Sequence, residues 1–261
     1  MILIATNHSY FAVARRRRMT TNTREGAMSS LKHPPMNTGN STATQPLRTV
    51  YLVRHGQSTS NAGGVTMAHA DIPLTELGQR QAQALAPLLP PQPARVWCSK
   101  FIRSQATAEP YCQRTGVAPV VHPLLHELDA IDPALIAGMD GAQRRPVAQA
   151  FWAAADPHRR MGAVAETYAE FAERVHRFMA TELPTLPDAT VLFGHGTWIG
   201  MASWLLLGFD PVQDDGMRRF RRFQQGLPMA NGAVYCLQEL APGQWRVRAD
   251  AAVLRALADV Q

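Results

Sequence analysis

The chain has 261 residues, of which 46% are hydrophobic, enough for one α/β domain of ordinary size. No apolar run approaches the roughly 18 to 20 residues that a membrane-spanning helix needs. The three cysteines, Cys98, Cys112 and Cys236, show no metal-ligand spacing and are odd in number, which argues against a disulfide framework. These features predict a soluble, cytoplasmic protein in a reducing compartment, with no membrane partner.

The net charge of +6 is concentrated at the N-terminus. Residues 1–48 hold seven of the 26 basic residues and one of the 20 acidic ones, so the rest of the chain carries 19 of each sign. A neutral body offers no electrostatic footprint for DNA or RNA. The charge pattern therefore argues against a nucleic-acid partner, and the sequence carries no signal for an oligomeric state.

Residues 1–47 are rich in Ser, Thr, Asn, Arg and Pro and hold no sustained apolar period. They predict a disordered basic tail before a domain at 48–261. The arginine cluster at 15–18 in an acid-poor segment also fits an organellar transit peptide. A start codon assigned too far upstream is the simpler interpretation, because three further methionines precede the domain.

Beyond the tail, short β-branched runs alternate with helical stretches. In chain order the predicted elements are a strand at Thr49–Val53, a helix at Leu74–Leu89, a strand at Arg95–Cys98, a helix at Arg103–Arg114, a strand at Val117–Val121, a helix at Thr167–Leu183, a strand at Thr190–Phe193, a helix at Thr197–Leu207, and strands at Ala233–Leu237 and Trp245–Arg248. The alternation predicts a three-layer α/β/α fold around a mostly parallel, doubly wound sheet.

Two segments stand apart from this alternation. The Pro- and Ala-rich stretch at 129–165 is predicted to form a small helical insertion that caps the domain. The run RRFRRF at 218–223 is typical of an amphipathic helix. Its basic side either faces water, which is the usual case, or adds positive charge near an acidic substrate.

Two histidines follow predicted strands directly. TVYLV runs into RHG at 54–56, and TVLF runs into GHG at 194–196. In an open parallel sheet, ligands bind beyond the carboxyl ends of the strands. One histidine at a strand end is commonly just solvated, but two in one small domain, His55 and His195, favour a functional site.

The neighbours of His55 point to phosphate chemistry. The guanidinium fork of Arg54 suits phosphate oxygens, and its fixed charge keeps an adjacent imidazole neutral and nucleophilic. Phosphoryl transfer asks for a nucleophile, several cationic or N–H donors, and an acid for the leaving group. Arg103, at the start of a helix, and Glu127, near the same sheet edge, are candidates for donor and acid.

The segment RHGQSTSN at 54–61 resembles the signature of the histidine phosphatase superfamily, also called phosphoglycerate-mutase-like. Other stretches resemble further family segments in the family's order, namely DIPLTELGQRQAQALA at 71–86, SKFIRSQATA at 99–108, LLHELD at 124–129, AETYAEFAERV at 165–175 and VLFGHGTWI at 191–199. The resemblance covers roughly residues 48 to 240. Glu166 departs from it, since Ala-Glu-Thr stands where many members have Gly-Glu-Ser, and its role stays open.

The resemblance implies that His55 is the nucleophile and forms a phosphohistidine, and that Glu127 first protonates the leaving oxygen and then activates water. It further implies a phosphate pocket lined by Arg54, Asn61, Arg103 and His195. Taken singly, each of these residues has a commoner structural role, but together they match at the family's spacing. Three neighbours in sequence are alternatives to Glu127 as the acid: His126, Asp129 and Asp132.

These residues imply a metal-independent phosphoric monoester hydrolase of the histidine acid-phosphatase type, which needs no cofactor and acts on a small phosphorylated substrate. A phosphoglycerate-mutase-type phosphotransferase would use the same residues. It is less favoured because the mutases' long closing segment is not recognised between residues 129 and 165. A non-catalytic phosphate-binding adaptor is a third hypothesis, but such a protein would be expected to have lost His55 or Glu127.

Overall fold

The computed structural model of the protein describes residues 46–260; the predicted tail, apart from its last two residues, lies outside them. Within this range six strands form one sheet: β1 Arg48–Arg54, β2 Arg95–Cys98, β3 Val120–Val121, β4 Thr190–Gly194, β5 Val234–Ala241 and β6 Gln244–Ala249. Their order across the sheet is β3-β2-β4-β1-β5-β6. The first four strands are parallel, and β5 and β6 form an antiparallel hairpin that continues the sheet beyond β1.

The same residues form seven α-helices: α1 Glu76–Leu85, α2 Ile102–Thr115, α3 Gly141–Ala154, α4 Tyr168–Thr181, α5 Gly196–Leu206, α6 Gly216–Gly226 and α7 Ala251–Ala258. The four predicted helices are present, and α1 continues as a 3-10 turn at Ala86–Leu88. The RRFRRF run lies in α6, whereas α7 was not predicted. None of the helices between residues 46 and 260 has the length and apolar character to span a bilayer.

Two hydrophobic clusters cover the two faces of the sheet. On one face Val50 and Leu52 pack in a cluster with residues of α3 to α6, including Phe171 and Trp198. On the other face Val53 packs in a cluster with residues of α1, α2 and α7. Because successive strand residues point to opposite faces, β1 is buried on both sides. This arrangement confirms the three-layer α/β/α architecture.

The predicted strand at 117–121 is the one that shortens most. Only Val120 and Val121 pair with β2, and these two residues are half exposed at the edge of the sheet. The apolar run before β3 therefore has little to bury, so local β-propensity alone does not extend the strand.

The loop after β1 passes the start of α1 at backbone contact. A Cβ on Gly56 would lie 2.5 Å from the carbonyl oxygen of Gly78, and one on Gly78 would lie 2.0 Å from the carbonyl oxygen of Gln57. Thr75 caps α1 by accepting a hydrogen bond from the Gly78 N–H at 3.1 Å. These glycines are required because two backbones approach each other, and the contact fixes the loop that carries His55.

We therefore expect Gly78→Ala to lower the free energy of unfolding by about 1 to 3 kcal/mol, because the added methyl group must push two backbones apart. Urea unfolding followed by circular dichroism measures the change. Gly226→Ala is the matched control, since a Cβ at Gly226 meets nothing within 4 Å. An equal loss in both variants would show that close backbone contact is not what Gly78 provides.

Candidate active site

The carboxyl ends of three parallel strands meet at one edge of the sheet. His55 follows β1, Ser99 follows β2, and His195 follows β4. The His55 N–H donates to the Gly194 carbonyl at 3.1 Å, so the register of β1 and β4 sets the two histidines side by side. Their ring centroids are 5.2 Å apart, and the side chains are 5% and 0% exposed.

The hydrogen bonds of His55 assign its tautomer. Nδ1 lies 2.6 Å from the Gly56 carbonyl oxygen, which can only accept, so Nδ1 carries the proton. Nε2 accepts a hydrogen bond from the Arg103 Nε–H at 3.2 Å. In the neutral ring the free electron pair is therefore on Nε2, on the side where the guanidinium of Arg103 lies.

Both histidines are held neutral. Burial, followed by the charges of Arg103 and Arg54, lowers the pKa of His55 to about 3. Burial and the charge of Arg103 also place the pKa of His195 well below its ordinary value. At neutral pH the site therefore contains two uncharged imidazoles, as the sequence predicts for His55.

Arg54, which is partly buried, and Arg103, which is buried, bring two positive charges to the site. Arg103 donates from Nη1 to the His69 carbonyl at 2.7 Å, and Arg54 donates to the Met229 carbonyl. Burial lowers the pKa of Arg103 to about 10, opposed by the charge of Glu127, so the guanidinium stays positive at neutral pH. Neither arginine has a carboxylate ion pair within residues 46–260. Such a site favours an anion.

Glu127 lies at the N-terminus of α5, the helix that begins directly after His195. Its Oε2 accepts from the Thr197 N–H at 2.9 Å, and its Oε1 accepts from the Trp198 N–H at 3.1 Å. Free N–H groups and the helix dipole favour a carboxylate at this position. The structure thus brings Glu127 to the same helix end as His195, and its charge acts on both Arg54 and Arg103.

The three alternatives to Glu127 are engaged elsewhere. Asp132 accepts three backbone N–H bonds within the insertion, which lower its pKa. Asp129 pairs with His69. His126 lies with Nδ1 2.9 Å from a backbone carbonyl, and burial lowers its pKa to about 4. Among these residues, Glu127 is the one whose carboxylate meets α5.

Asn61 lies in the loop after β1, and its Oδ1 accepts hydrogen bonds both from that loop and from Asn231. The oxygen accepts from the Ser58 N–H at 3.2 Å and from Nδ2 of Asn231 at 3.0 Å. Nδ2 of Asn231 also lies 3.2 Å from the His55 carbonyl. Asn61 therefore helps hold the His55 backbone in place. Asn231 was missed by the sequence analysis, since nothing around it marks a site.

Arg174 on α4, also missed from the sequence, holds the segment that carries Glu127. It donates to both carboxylate oxygens of Glu166 at 2.8 Å. It also donates to the carbonyls of Leu124 at 3.0 Å and His126 at 2.7 Å. Glu166, whose role the sequence left open, orients this arginine. The spacing of Glu166 and Arg174 was the available signal, but backbone carbonyls as partners leave no trace in a sequence.

Cys98 ends β2 at the same sheet edge. Burial raises the pKa of its thiol to about 11, so it remains protonated at neutral pH and is no competitor for the nucleophile's role. Within residues 46–260, no group of three or more His, Cys, Asp or Glu side chains is placed to hold a metal ion.

A cavity of about 250 Å³ adjoins these residues. Among its lining residues, the carbonyl of His69 accepts a hydrogen bond from Arg103, the N–H of Thr197 donates one to Glu127, and Leu128 follows Glu127 in the chain. Other lining residues come from the 129–165 segment, including α3, and from α6. A substrate whose phosphate sits against His55 would place the rest of its structure here.

Comparison with known families decides the class of this site. The sequence profile of the histidine phosphatase superfamily (branch 1) matches residues 50–251. The chain belongs to this superfamily. The family predicted from RHGQSTSN and the later segments is thereby confirmed.

Solved structures of two phosphatases share the fold. A mycobacterial glucosyl-3-phosphoglycerate phosphatase superposes with a TM-score of 0.57 and 26% identity, over 77% of this chain and 97% of that one. A putative alpha-ribazole-5'-P phosphatase from Escherichia coli superposes with a TM-score of 0.61 at 22% identity over 77% of this chain and 95% of that one, which shows the fold alone.

Sequence relatives in the superfamily include phosphatases and probable mutases. The adenosylcobalamin/alpha-ribazole phosphatase of Salmonella typhi is 31% identical over 132 residues, half of this chain and 65% of that protein. A probable phosphoglycerate mutase of Cronobacter sakazakii is 40% identical over 86 residues, 31% of this chain and 38% of that protein. The chain thus spans less than two thirds of the length of these relatives.

The neutral, buried His55 should make the stability of this superfamily member depend on pH. Below its ordinary pKa of 6.5 the unfolded chain binds a proton at His55, whereas the folded protein binds it only near pH 3. Stability is therefore lost as pH falls through this window, by about 1.4 kcal/mol per pH unit for such a histidine. Urea unfolding between pH 7 and pH 5 measures it.

His55→Asn should lower the slope of that profile by about 1.4 kcal/mol per pH unit, because one of the buried histidines that gain a proton on unfolding is gone while His195 remains. The matched control is His176→Asn, since His176 lies exposed on α4. A wild-type profile in His55→Asn would contradict the assignment of a neutral buried ring.

Proposed function

We propose that the protein is a phosphomonoester hydrolase that works through a phosphohistidine on His55 and needs no metal or cofactor. One observation carries the proposal: the unprotonated Nε2 of His55 accepts a hydrogen bond from the buried Arg103, the charge of the partly buried Arg54 acts on the same ring, and neither guanidinium has a carboxylate ion pair in the described residues. A phosphate dianion supplies the missing negative charge. It also places phosphorus next to a neutral nitrogen nucleophile.

In the free protein the Arg103 Nε–H donates a hydrogen bond to Nε2 of His55. In the first step a phosphate oxygen replaces Nε2 as the acceptor of that hydrogen bond. This releases the electron pair of Nε2, which forms a bond to phosphorus as the bond to the leaving oxygen breaks. Glu127, a carboxylate in the free protein, takes up a proton from water as the phosphate dianion binds, and gives this proton to the leaving oxygen. The positive charge that develops on the imidazole is stabilised by the Nδ1–H bond to the Gly56 carbonyl.

In the second step Glu127, now a carboxylate, takes a proton from water as the water oxygen bonds to phosphorus. The phosphorus–nitrogen bond breaks and its electron pair returns to Nε2 of His55. Inorganic phosphate leaves, and Glu127 gives its proton back to water as the free protein is restored. Every proton and electron pair is then accounted for without a further reactant.

His195 is suited to bind a phosphate oxygen. The Ser99 Oγ accepts from the Phe101 N–H at 3.2 Å and lies 2.9 Å from Nε2 of His195, so the hydroxyl proton can go to that nitrogen. The proton of the neutral His195 ring is then on Nδ1. This buried atom has no hydrogen-bond partner within the described residues, which leaves an N–H donor for the substrate.

The proposal extends to the organisation of the chain. We take residues 48–261 as the catalytic domain and 129–165 as a cap inserted in it. Arg144 of α3 supports this, because it donates to the carbonyl of Gly64 at 2.6 Å and to the hydroxyl of Thr66 at 3.1 Å. The insertion is thus tied to the loop that follows the RHG segment.

A mutase would use the same residues and differ in the fate of the phosphoryl group. It would return the group to a second hydroxyl of the substrate, whereas a phosphatase loses it to water. The similarity to a probable phosphoglycerate mutase over 31% of the chain keeps this alternative under test. The binding-protein alternative is disfavoured because the candidate nucleophile, His55, and the candidate acid, Glu127, are both present, and a non-catalytic protein would be expected to have lost one of them.

We expect wild-type protein to release phosphate from phosphomonoesters in the presence of EDTA, and His55→Asn to lose at least about a thousandfold in kcat/KM. Alkaline quench and mass spectrometry should find the phosphoryl group on the tryptic peptide that begins at His55. Glu127→Gln should lower kcat by about a hundredfold or more while phosphate binding persists. Asp129→Asn is its control and should retain most of the activity.

Isomerisation of 3-phosphoglycerate, assayed alongside, separates the mutase from the phosphatase. Turnover in that assay without phosphate release would replace the proposal by a mutase. Undiminished phosphate release by His55→Asn, or its loss in EDTA, would overturn the proposed chemistry.

The bond between Glu166 and Arg174 should matter for kcat rather than KM. Glu166→Gln weakens the carboxylate that orients Arg174, so the backbone around Glu127 shifts while the phosphate-binding groups stay in place. We expect kcat to fall by about tenfold or more, with KM changed by less than about twofold. Steady-state kinetics measures the split. Glu173→Gln is the control: Glu173 is exposed on α4, the helix that carries Arg174, and its substitution should change neither kcat nor KM.

A further inference from the structure

The cavity beside the active site has an apolar wall with an aromatic end. Ten of its lining residues are apolar, and the largest of them include Met67, Ile72, Leu128, Ile136, Phe151 and Trp152. Phe151 and Trp152 lie adjacent on α3 with their ring centroids 5.2 Å apart at 76°. Such a surface favours the burial of an apolar or aromatic group over that of a polyhydroxylated one.

The charged residues of the cavity are both cations. Arg144 and Arg221 line it, and no Asp or Glu does. The Nη1 of Arg144 is occupied by the carbonyls of Gly64 at 2.6 Å and Met139 at 2.9 Å and by a threonine hydroxyl. Arg144 therefore serves the attachment of α3, which leaves Arg221 as the candidate for contact with a ligand.

Arg221 is a partly buried cation without a carboxylate partner in the described part of the chain. Its guanidinium carbon lies 4.7 Å from the ring centroid of Trp152, and its Nη1 donates to Oε1 of Gln224 at 2.7 Å. Burial lowers its pKa, as expected for a charge that has lost water and gained no counter-ion. A negative group on a ligand would restore that balance.

A chain of hydrogen bonds connects Arg221 to Glu127. Nε2 of Gln224 donates to the Thr197 hydroxyl at 3.0 Å, and the Thr197 N–H donates to Oε2 of Glu127 at 2.9 Å. Arg221 and the proposed acid are therefore at two ends of one connected wall. A single substrate can contact both ends if its phosphate lies at His55 and its remaining structure fills the cavity.

We propose that the substrate is a phosphomonoester with an apolar, aromatic leaving group that bears a second negative charge, the ring packing beside Trp152 and the charge pairing with Arg221. This proposal rests on the proposed phosphatase function and names its substrate class. Of the two interpretations of the RRFRRF run, it selects the one in which the run adds positive charge beside an acidic substrate. The other three arginines of the run are exposed, so they face water.

The test compares three phosphomonoesters: 6-carboxy-2-naphthyl phosphate, 2-naphthyl phosphate and glycerol 2-phosphate. For wild type we expect kcat/KM to fall in that order, with about tenfold or more between the two naphthyl compounds. Arg221→Gln should abolish the advantage of the carboxylate, so that kcat/KM for the carboxylated compound falls by about tenfold more than kcat/KM for 2-naphthyl phosphate. Trp152→Ala should lower kcat/KM for both naphthyl compounds. Arg222→Gln, the same change at the exposed next position of α6, is the matched control.

The two naphthyl compounds differ in the reactivity of their leaving groups. This difference cancels when kcat/KM of the variant is divided by kcat/KM of wild type for the same compound. Equal losses on both in Arg221→Gln, or no preference for the carboxylate in wild type, would overturn the proposal. So would a preference for glycerol 2-phosphate. In each of these cases His55-dependent release from any of the three would leave the phosphatase function standing.

Calorimetric titration with the product alcohols tests the cavity without turnover. Wild type should bind 6-carboxy-2-naphthol more tightly than 2-naphthol, and Arg221→Gln should bind the two equally. Should no phosphate be released from any ester, this difference in binding would still support the cavity assignment while the proposed hydrolysis fails. Equal binding by wild type would overturn the cavity assignment even if hydrolysis is present.

Discussion

Arg54 and Arg103 hold two positive charges against a neutral imidazole in a region from which protein atoms have displaced most of the water. Burial opposes charge on all three groups, and the two guanidiniums remain charged because their pKa starts high. The result is a fixed positive field around the free electron pair of His55. An anion that enters meets a field already in place, so little reorganisation is needed when charge moves during a reaction.

The protein orients these cations through backbone carbonyls. Arg103 is held by the His69 carbonyl, Arg54 by the Met229 carbonyl, and Arg174 by the carbonyls of the segment before Leu128. A carboxylate in the same positions would fix the side chains equally well but would cancel their charge. Arg174 has such a carboxylate in Glu166, and it is also the arginine that supports the site from behind. The choice of partner thus separates cations that face the ligand from the cation that holds the scaffold.

The sequence was informative where function depends on positions at strand ends. Two buried strands end at histidines, and parallel pairing of β1 with β4 makes those ends neighbours, so the meeting of His55 and His195 followed from the fold class. The capping of α1 by Thr75 was also readable, because an N-cap needs only local chemistry. Asn231 and Arg174 were not readable, because their partners are carbonyls and amides far away in the chain. The helix α7 escaped because its short apolar pattern gains its stability from packing beside α1.

The contact between Gly56 and Gly78 also constrains how the site can open. The loop that carries His55 and the helix α1 touch through backbone atoms, with no flexible side chain between them. We therefore expect the loop and α1 to move together, so the part of the site that carries His55 does not move independently of the helix. Under the proposed function, entry of a substrate and exit of its products depend instead on the part of the cavity formed by α3 and α6, where Trp152 and Arg221 present side chains that can change rotamer. On that proposal, the side chains that admit a substrate are also the ones that select it.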